Sequence, residues 1–312
     1  MAEFLEEYVY SDAEEFLQAI TPWSRAHQLD GYIFRGHSRD EQYELLPSAL
    51  RADAKARLWE VAHLQQPIQN QSEWEEWQTK AEYQVLREFY RLADARGLHV
   101  PHAARVRNRL SQSIDFMTTT IRYQAEQWIP DDLLEVAALA QHYGLPTRLL
   151  DWTYDPYVAA YFAAASAGEH DGNLSVWCLN QDHLSFLNES VHRCSLRFVT
   201  PHYSGNPNLA AQSGLFTHWP TNLPPIHQSM QALMRGHTQL VDRTPLDVLL
   251  KHHFEAQGLD EKVNVFLKLK LPAREGRRLM GLLAKAGNGS SRLFPGYGGV
   301  AEEIAARYRY AN

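Results

Sequence analysis

Hydrophobic positions recur at three- and four-residue steps over residues 72–98, where Trp74, Trp77, Tyr83, Leu86, Phe89 and Leu92 mark one face. That spacing predicts a long amphipathic helix, with Gly97 as its C-terminal stop. A shorter stripe of Phe16, Ile20 and Trp23 predicts a helix over 12–28, capped by Ser11 or Asp12. Helical patterns continue across 52–128, less regularly after residue 100. Residues 130–144 form a well-bounded helix, with Asp131 or Asp132 at its start and Gly144 at its end. Asp155-Pro156 opens another, since Asp suits the cap and Pro the first helical position.

Between and after these segments the period changes. Tyr32 to Phe34 predicts a short strand ending at Arg35-Gly36, followed by a turn through 44–52. Residues 145–153 are extended. Strands are predicted at 172–180, 194–200, 213–219 and 264–272, with a helix at 244–256, and a loop and helix end the chain from residue 296. Helices dominate the first half and strands the second, which is an α+β pattern.

Composition narrows the class. The chain has 312 residues, 45% hydrophobic and 21% charged, enough for a large core without cross-links. Its two cysteines, Cys178 and Cys194, form no disulfide framework, so a reducing cytoplasm is expected. The acidic start lacks a signal-peptide pattern and no window has the length of a membrane span, so no membrane partner is expected. Net charge is −7, which argues against a broad grip on duplex DNA but leaves room for a local basic groove. Motifs for metal catalysis, a nucleophile elbow, a phosphate loop and a dinucleotide fold are all missing, and no metal is expected.

Three segments carry candidate chemistry. Arg35 at a strand end is a charged fork suited to a phosphate or carboxylate, and Gly36 permits close approach. The alternative is an Arg35 paired with an internal carboxylate such as Asp151. The stretch 139–165 concentrates His142, Tyr143, Arg148, Asp151, Trp152, Thr153 and Tyr157 between two apolar helices. Arg148 and Asp151, three apart in an extended run, tend towards opposite faces. His142 sits at a helix end, where the dipole favours its protonated form. This stretch is either a ligand site or a buried polar knot. Gln212, before a small-residue turn and a strand carrying Thr217, either positions a ribose or bonds its own turn. The alternating lysines of 264–272 mark either a protected edge strand or a nucleic-acid groove.

The segments IFRGHS, ELLPSALR, ALAQHYGLPTRLLDWTYDPYVAAYFA, AAQSGLFTHW and SRLFPGYGGVAEEI follow the order seen in the FRG-domain family, which this chain resembles. The resemblance spans roughly residues 30–305, with insertions around 52–128 and 220–262. It implies a single FRG-type domain over 1–312. More remotely, that family is similar to ADP-ribosyltransferases. This implies an ADP-ribosyltransferase-like split β-sheet core with an extensive N-terminal and inserted helical layer, and NAD as substrate.

On that resemblance Arg35 is the first strand element and Gln212 the third, with Thr153 and Tyr157 facing the nicotinamide side. Arg35, Gly36, Tyr143, Arg148, Trp152, Thr153 and Tyr157 would bind NAD, the aromatic rings sandwiching nicotinamide. No QxE or ExE stands at the third position, and Glu255, Glu302 and Glu303 lie in helical patterns. Asp151 and His142 are therefore the alternatives for the charge-stabilising role. The expected activity is an NAD-dependent ADP-ribosyltransferase toxin of phage defence. It would modify nucleic acid, single-stranded RNA above all, and be restrained by a cognate antitoxin docked at the acidic N-terminus. An NAD glycohydrolase and a non-catalytic nucleotide- or nucleic-acid-sensing module are the alternatives.

Overall fold

Strand pairing is the frame on which everything else is placed. The computed structural model describes residues 4–42, 44–53, 55–63, 73–112, 115–168, 171–189, 194–223, 225, 238–259 and 264–310. The expected insertions at 52–128 and 220–262 therefore lie partly outside the described residues. In chain order the elements are β1 (Leu5–Val9), α1 (Ala13–Ala19), β2 (Tyr32–His37), α2 (Lys55–Val61), α3 (Glu75–Ala95), α4 (Ala104–Arg107) and α5 (Met117–Tyr123). Then come β3 (Gln127–Trp128), α6 (Asp131–His142), β4 (Leu149–Thr153), α7 (Pro156–Ala165), β5 (Asn173–Asn180), α8 (Gln181–Glu189) and β6 (Arg197–Val199). The chain closes with α9 (Pro207–Ala211), β7 (Gly214–His218), β8 (Thr221–Asn222), α10 (Leu246–Glu255), β9 (Phe266–Pro272), α11 (Gly276–Lys285), α12 (Ser290–Leu293) and α13 (Tyr297–Tyr310). Among the described residues no helix is long and apolar enough to cross a membrane.

The fold is mixed α+β, built on an open seven-stranded sheet of order β1-β9-β5-β2-β4-β7-β6. Its pairs are antiparallel except the parallel β1–β9. One face of the sheet packs on α7, α1 and α11 over β5, β9 and β2, through residues such as Phe16, Val158, Val176 and Leu269. On the same face α3, α5 and α6 cover β4 and β7 through Leu86, Leu133, Leu149 and Phe216. The other face carries Ile33, Trp152, Trp177 and Leu215 against α8 and α10. β4 alternates between faces: Leu150 and Trp152 go to one core, while Leu149, Asp151 and Thr153 face the other way.

Several expectations are corrected. The helix over 12–28 stops at Ala19, because Pro22 disfavours helical geometry just before it. Asp12 caps it, and Trp23 is exposed. Neither Asp131 nor Asp132 caps α6, whose cap is Pro130; both lie in its first turn, where their charge suits the dipole. The less regular helical pattern after residue 100 resolves into two short helices and a two-residue strand among the described residues. β9 is not an edge: β1 lies along it, so Lys268 and Lys270 pair with Glu7 and Asp40. Lys268 also sits over the Trp177 ring, 4.4 Å from its centroid. These lysines are committed within the sheet. The strand β1 and the helices α8 and α11 went unread in the sequence.

Asp155 and Pro156 open α7 as predicted, the Asp155 carboxylate accepting from the Tyr157 N–H at 2.9 Å. This helix is apolar nearly all round and rich in alanine, which lets its backbone reach the sheet. A Cβ added to Gly36 would lie 2.0 Å from the Ala159 carbonyl oxygen and 2.8 Å from the Ala163 nitrogen. Gly36 is thus a packing glycine, and the close approach it permits is that of α7. A Gly36→Ala substitution must push α7 off β2. The expected cost is about 1–3 kcal/mol, read as a lower midpoint in urea; an unchanged midpoint would contradict this contact.

Candidate active site at the seam of the sheet

β2 and β4 pair at one position, Phe34 with Thr153. Continuing that register would set Gly36 opposite Asp151, but the strands part there instead. The Arg35 side chain occupies the seam. Its Nη1 donates to the Asp151 backbone carbonyl at 2.8 Å and meets the Asp151 carboxylate at 2.8 Å. Its Nε donates to His37 Nε2 at 3.0 Å. A guanidinium has thus taken a carbonyl that a strand ladder would otherwise engage.

The seam opens into a cavity of about 350 Å³ between α6 and α7, where Phe34, Gly36 and Asp151 meet Phe162, Gln212 and Phe294. Asp151 is the one acidic side chain among the described residues lining it. Gln141 Nε2 donates to the other Asp151 oxygen at 3.2 Å, so both oxygens are held. Enclosure by protein would raise the Asp151 carboxyl, but the Arg35 guanidinium outweighs that and holds it at about 2. Its side chain remains 59% accessible from the cavity, so water screens the pair and its worth to stability is small. The alternative reading of Arg35 as a carboxylate-paired side chain is therefore met, at a place where the pair also faces a cavity.

The other expected residues divide sharply. His142 lines the cavity, but burial pushes its imidazole down against the opposing pull of Asp151; it is neutral, not the dipole-favoured cation. Tyr143 also lines it, largely exposed. Gln212 ends α9, and its Nε2 donates to the Leu293 carbonyl at 3.3 Å. The Thr153 hydroxyl donates to the Gln212 carbonyl at 2.7 Å and accepts from the Asp155 N–H at 3.0 Å, so it braces the turn. Trp152 borders the cavity, yet its indole belongs to the opposite core and donates to Thr217 Oγ1 at 2.8 Å. Tyr157 does not line the cavity; it packs half-buried on the α7 core. Glu255, Glu302 and Glu303 do not line it either.

Arg148 is the clearest correction. It is 3% exposed and away from this cavity. It pairs with Glu75 and with Glu82, the latter at 2.8 Å, and donates to Thr221 Oγ1 at 2.8 Å. Glu82 also accepts from the Trp128 indole at 2.6 Å and from Gln78 at 2.7 Å. Burial raises the Glu75 carboxyl even beside Arg148. This is the polar knot that the sequence offered as an alternative, and it belongs to Arg148 rather than to the whole stretch.

Sequence reasoning missed Gln141, Phe162 and Phe294. Phe162 and Phe294 stand edge to face, ring centroids 6.1 Å apart. Arg292 ties the loop bearing Phe294 to Asp155 at 2.6 Å, and Tyr161 meets Ser290 at 2.8 Å. The only available signal was that the SRLFPGYGG segment keeps an aromatic amid glycines.

Two arginines that look alike in the sequence should behave differently. Arg148→Ala strands two buried carboxylates and is expected to cost about 3–5 kcal/mol. Arg35→Ala, at a screened pair, should cost on the order of 1 kcal/mol. Parallel urea titrations decide this, and equal losses would contradict it.

Acid should weaken the fold through histidines. Burial holds His37 and His218 at about 3, so both are neutral when folded. The unfolded chain takes up these protons near about pH 6.5. Stability is therefore fully present above that value and is lost as pH falls towards 3, by on the order of a few kcal/mol. The thermal midpoint should drop on acidification from about pH 7 to 4, and less steeply in His37→Gln. A midpoint independent of pH in that window would contradict the buried neutral state.

Against known proteins, the family model of the FRG domain matches residues 30–172, a span holding β2, α6, β4 and α7. No curated protein and no solved structure matches the chain. Gln212 and Phe294 lie beyond the matched span.

Proposed function

We propose that this chain, which carries an FRG domain at residues 30–172, is an NAD-dependent ADP-ribosyltransferase acting on nucleic acid. The observation that carries the reading is the seam itself. Two central strands part after a single pair, and a cation and an ionised carboxylate meet at the head of an aromatic-walled cavity. The ADP-ribosyltransferase resemblance implies a split β-sheet core, and the parting of β2 from β4 within the one seven-stranded sheet is the feature that supports this reading.

The chemistry follows from charge. Breaking the nicotinamide–ribose bond leaves the electron pair on nicotinamide and positive charge on the ribose. Asp151, ionised above about pH 2, is placed to stabilise that charge. In this reading the pyrophosphate of NAD competes for Arg35 and frees Asp151, while Gln141 keeps the carboxylate oriented. Phe162 and Phe294 give the nicotinamide an apolar wall, replacing the Trp152 and Tyr157 sandwich. His142, held neutral, can take the proton that the acceptor gives up. The toxin role, the setting in phage defence and a cognate antitoxin rest on the family resemblance.

One observation favours the sensing-module alternative: both Asp151 oxygens already have partners. Radiolabelled NAD offered with RNA, single-stranded DNA or cell protein separates the readings. Label on nucleic acid, with a rate about 10²–10³ lower in Asp151→Asn, is the expected result. Nicotinamide release without label transfer would make the protein a glycohydrolase. No turnover by the wild type would overturn the enzyme reading.

A further inference from the structure

The ELLPSALR segment reaches the candidate site through one side chain. Ser48 opens a short turn at 48–50 that is clasped to Thr147, two residues before β4. The Ala49 N–H donates to the Thr147 carbonyl at 3.0 Å, and the Thr147 N–H donates to Ser48 Oγ at 3.2 Å. Both hydroxyls then meet one acceptor. Thr147 Oγ1 donates to Gln141 Oε1 at 2.8 Å. Ser48 Oγ donates to the same oxygen at 3.1 Å, sharing its proton with the Thr147 carbonyl at 3.3 Å. At its other end the Gln141 amide donates from Nε2 to Asp151 Oδ1 at 3.2 Å.

These bonds have a direction. A side-chain amide presents a donor at one end and an acceptor at the other, and its neighbours decide which end faces where. A backbone N–H only donates. The Leu149 N–H, 3.2 Å from Thr147 Oγ1, therefore takes a lone pair and leaves the hydroxyl proton for Gln141. With Oε1 receiving hydroxyl protons, Nε2 is left to the carboxylate. Turned round, the amide would set its oxygen against an ionised Asp151 and strip the buried Thr147 hydroxyl of its acceptor, which is costly. The chain of donors ends at the carboxylate that faces the first cavity and is 59% accessible. Water alone would solvate an oxygen so placed, so a fixed amide there serves orientation rather than burial. A second cavity of about 390 Å³, mostly apolar, adjoins the first at Tyr143, and none of these residues lines it.

We infer that Ser48 and Thr147 are positioning residues: they hold the Gln141 amide so that it keeps Asp151 Oδ1 and leaves Oδ2 to face the charge that develops on the ribose. Arg35 meets Oδ2 at 2.8 Å. When the pyrophosphate of NAD draws Arg35 away, Oδ2 is therefore the oxygen released. That last step rests on the ADP-ribosyltransferase reading; the hold on Asp151 does not. The other titratable groups facing Asp151 are His37 on β2 and His142 on α6, both neutral. Once Arg35 leaves, the amide is the side-chain hold that remains among the described residues.

Two measurements test this. The first needs no NAD. Protein carrying isotope-labelled aspartate is titrated by carbon NMR, with the Asp151 signal identified from Asp151→Asn. The background is Arg35→Ala, which isolates the amide. Adding Gln141→Met should make Asp151 titrate about one pH unit higher, since the lost donor favoured the charged form. Adding Ser48→Ala with Thr147→Val should move it the same way, and Thr147→Ser alone should not. Equal titration in all of them would overturn the inference. The second measurement is nicotinamide release with Arg35 intact. Gln141→Met, and Ser48→Ala with Thr147→Val, should each lower kcat about 10-fold or more through lost orientation. KM for NAD should change by less than about threefold, and Thr147→Ser should keep most of the rate. A loss confined to KM would overturn the role given to Oδ2. A raised Asp151 titration with no nicotinamide release by the wild type would keep the hold on Asp151 and overturn the NAD reading.

Discussion

The buried pairing of Arg148 with Glu75 and Glu82 is the constraint on which the site depends. It joins the residue just before β4 to the first half of α3, across a long gap in sequence, inside a region from which water is excluded. Such a cluster is costly unless nearly every donor and acceptor is met. Trp128, Gln78 and Thr221 supply most of those partners, Glu75 Oε2 having none among the described residues, and α3, β3, β4 and β8 are fixed together. With β4 held on that side and β2 held on the other by Gly36 against α7, the two strands need not follow each other. They part after Phe34 and Thr153, and the cavity is the space that results.

That arrangement explains why one short segment serves two purposes. Along β4 consecutive residues point to opposite faces, so Leu150 and Trp152 build a core while Asp151 faces the cavity. Arg148, just before the strand, belongs to the buried cluster. A stretch that reads as one dense site is a structural anchor and a cavity-facing carboxylate three residues apart. The neutral imidazoles of His37 and His142 add to the separation, because they leave Arg35 and Asp151 as the charged pair of the cavity.

The two cavities differ in kind. The first holds the Arg35–Asp151 ion pair, and the second is walled mostly by apolar side chains. Tyr143 belongs to both, at the end of α6, where its hydroxyl reaches Asn206 and its ring abuts His142. A helix end is a suitable place for a shared residue, since the chain turns away at Gly144 and leaves the side chain uncovered.

The amino-acid sequence by itself determined the elements whose signals are local. Asp155-Pro156 started α7, Gly97 ended α3, and alternating residues marked β4, β5, β7 and β9, because caps, turns and periodicity act over a few residues. It also singled out Arg35, Asp151, His142, Tyr143 and Gln212 as chemically capable side chains, and all five line the cavity. Only the tertiary structure decided which arginine faces the cavity and which is buried away from it. Arg35 and Arg148 are equivalent as letters, and what separates them is the pair of glutamates that α3 brings to one of them. The same holds for Glu75 and Glu82, which no local pattern singled out and which lie buried. Partners distant in sequence leave no local pattern, so the parting of β2 from β4 and the aromatic wall at Phe162 and Phe294 became visible only once the sheet was assembled.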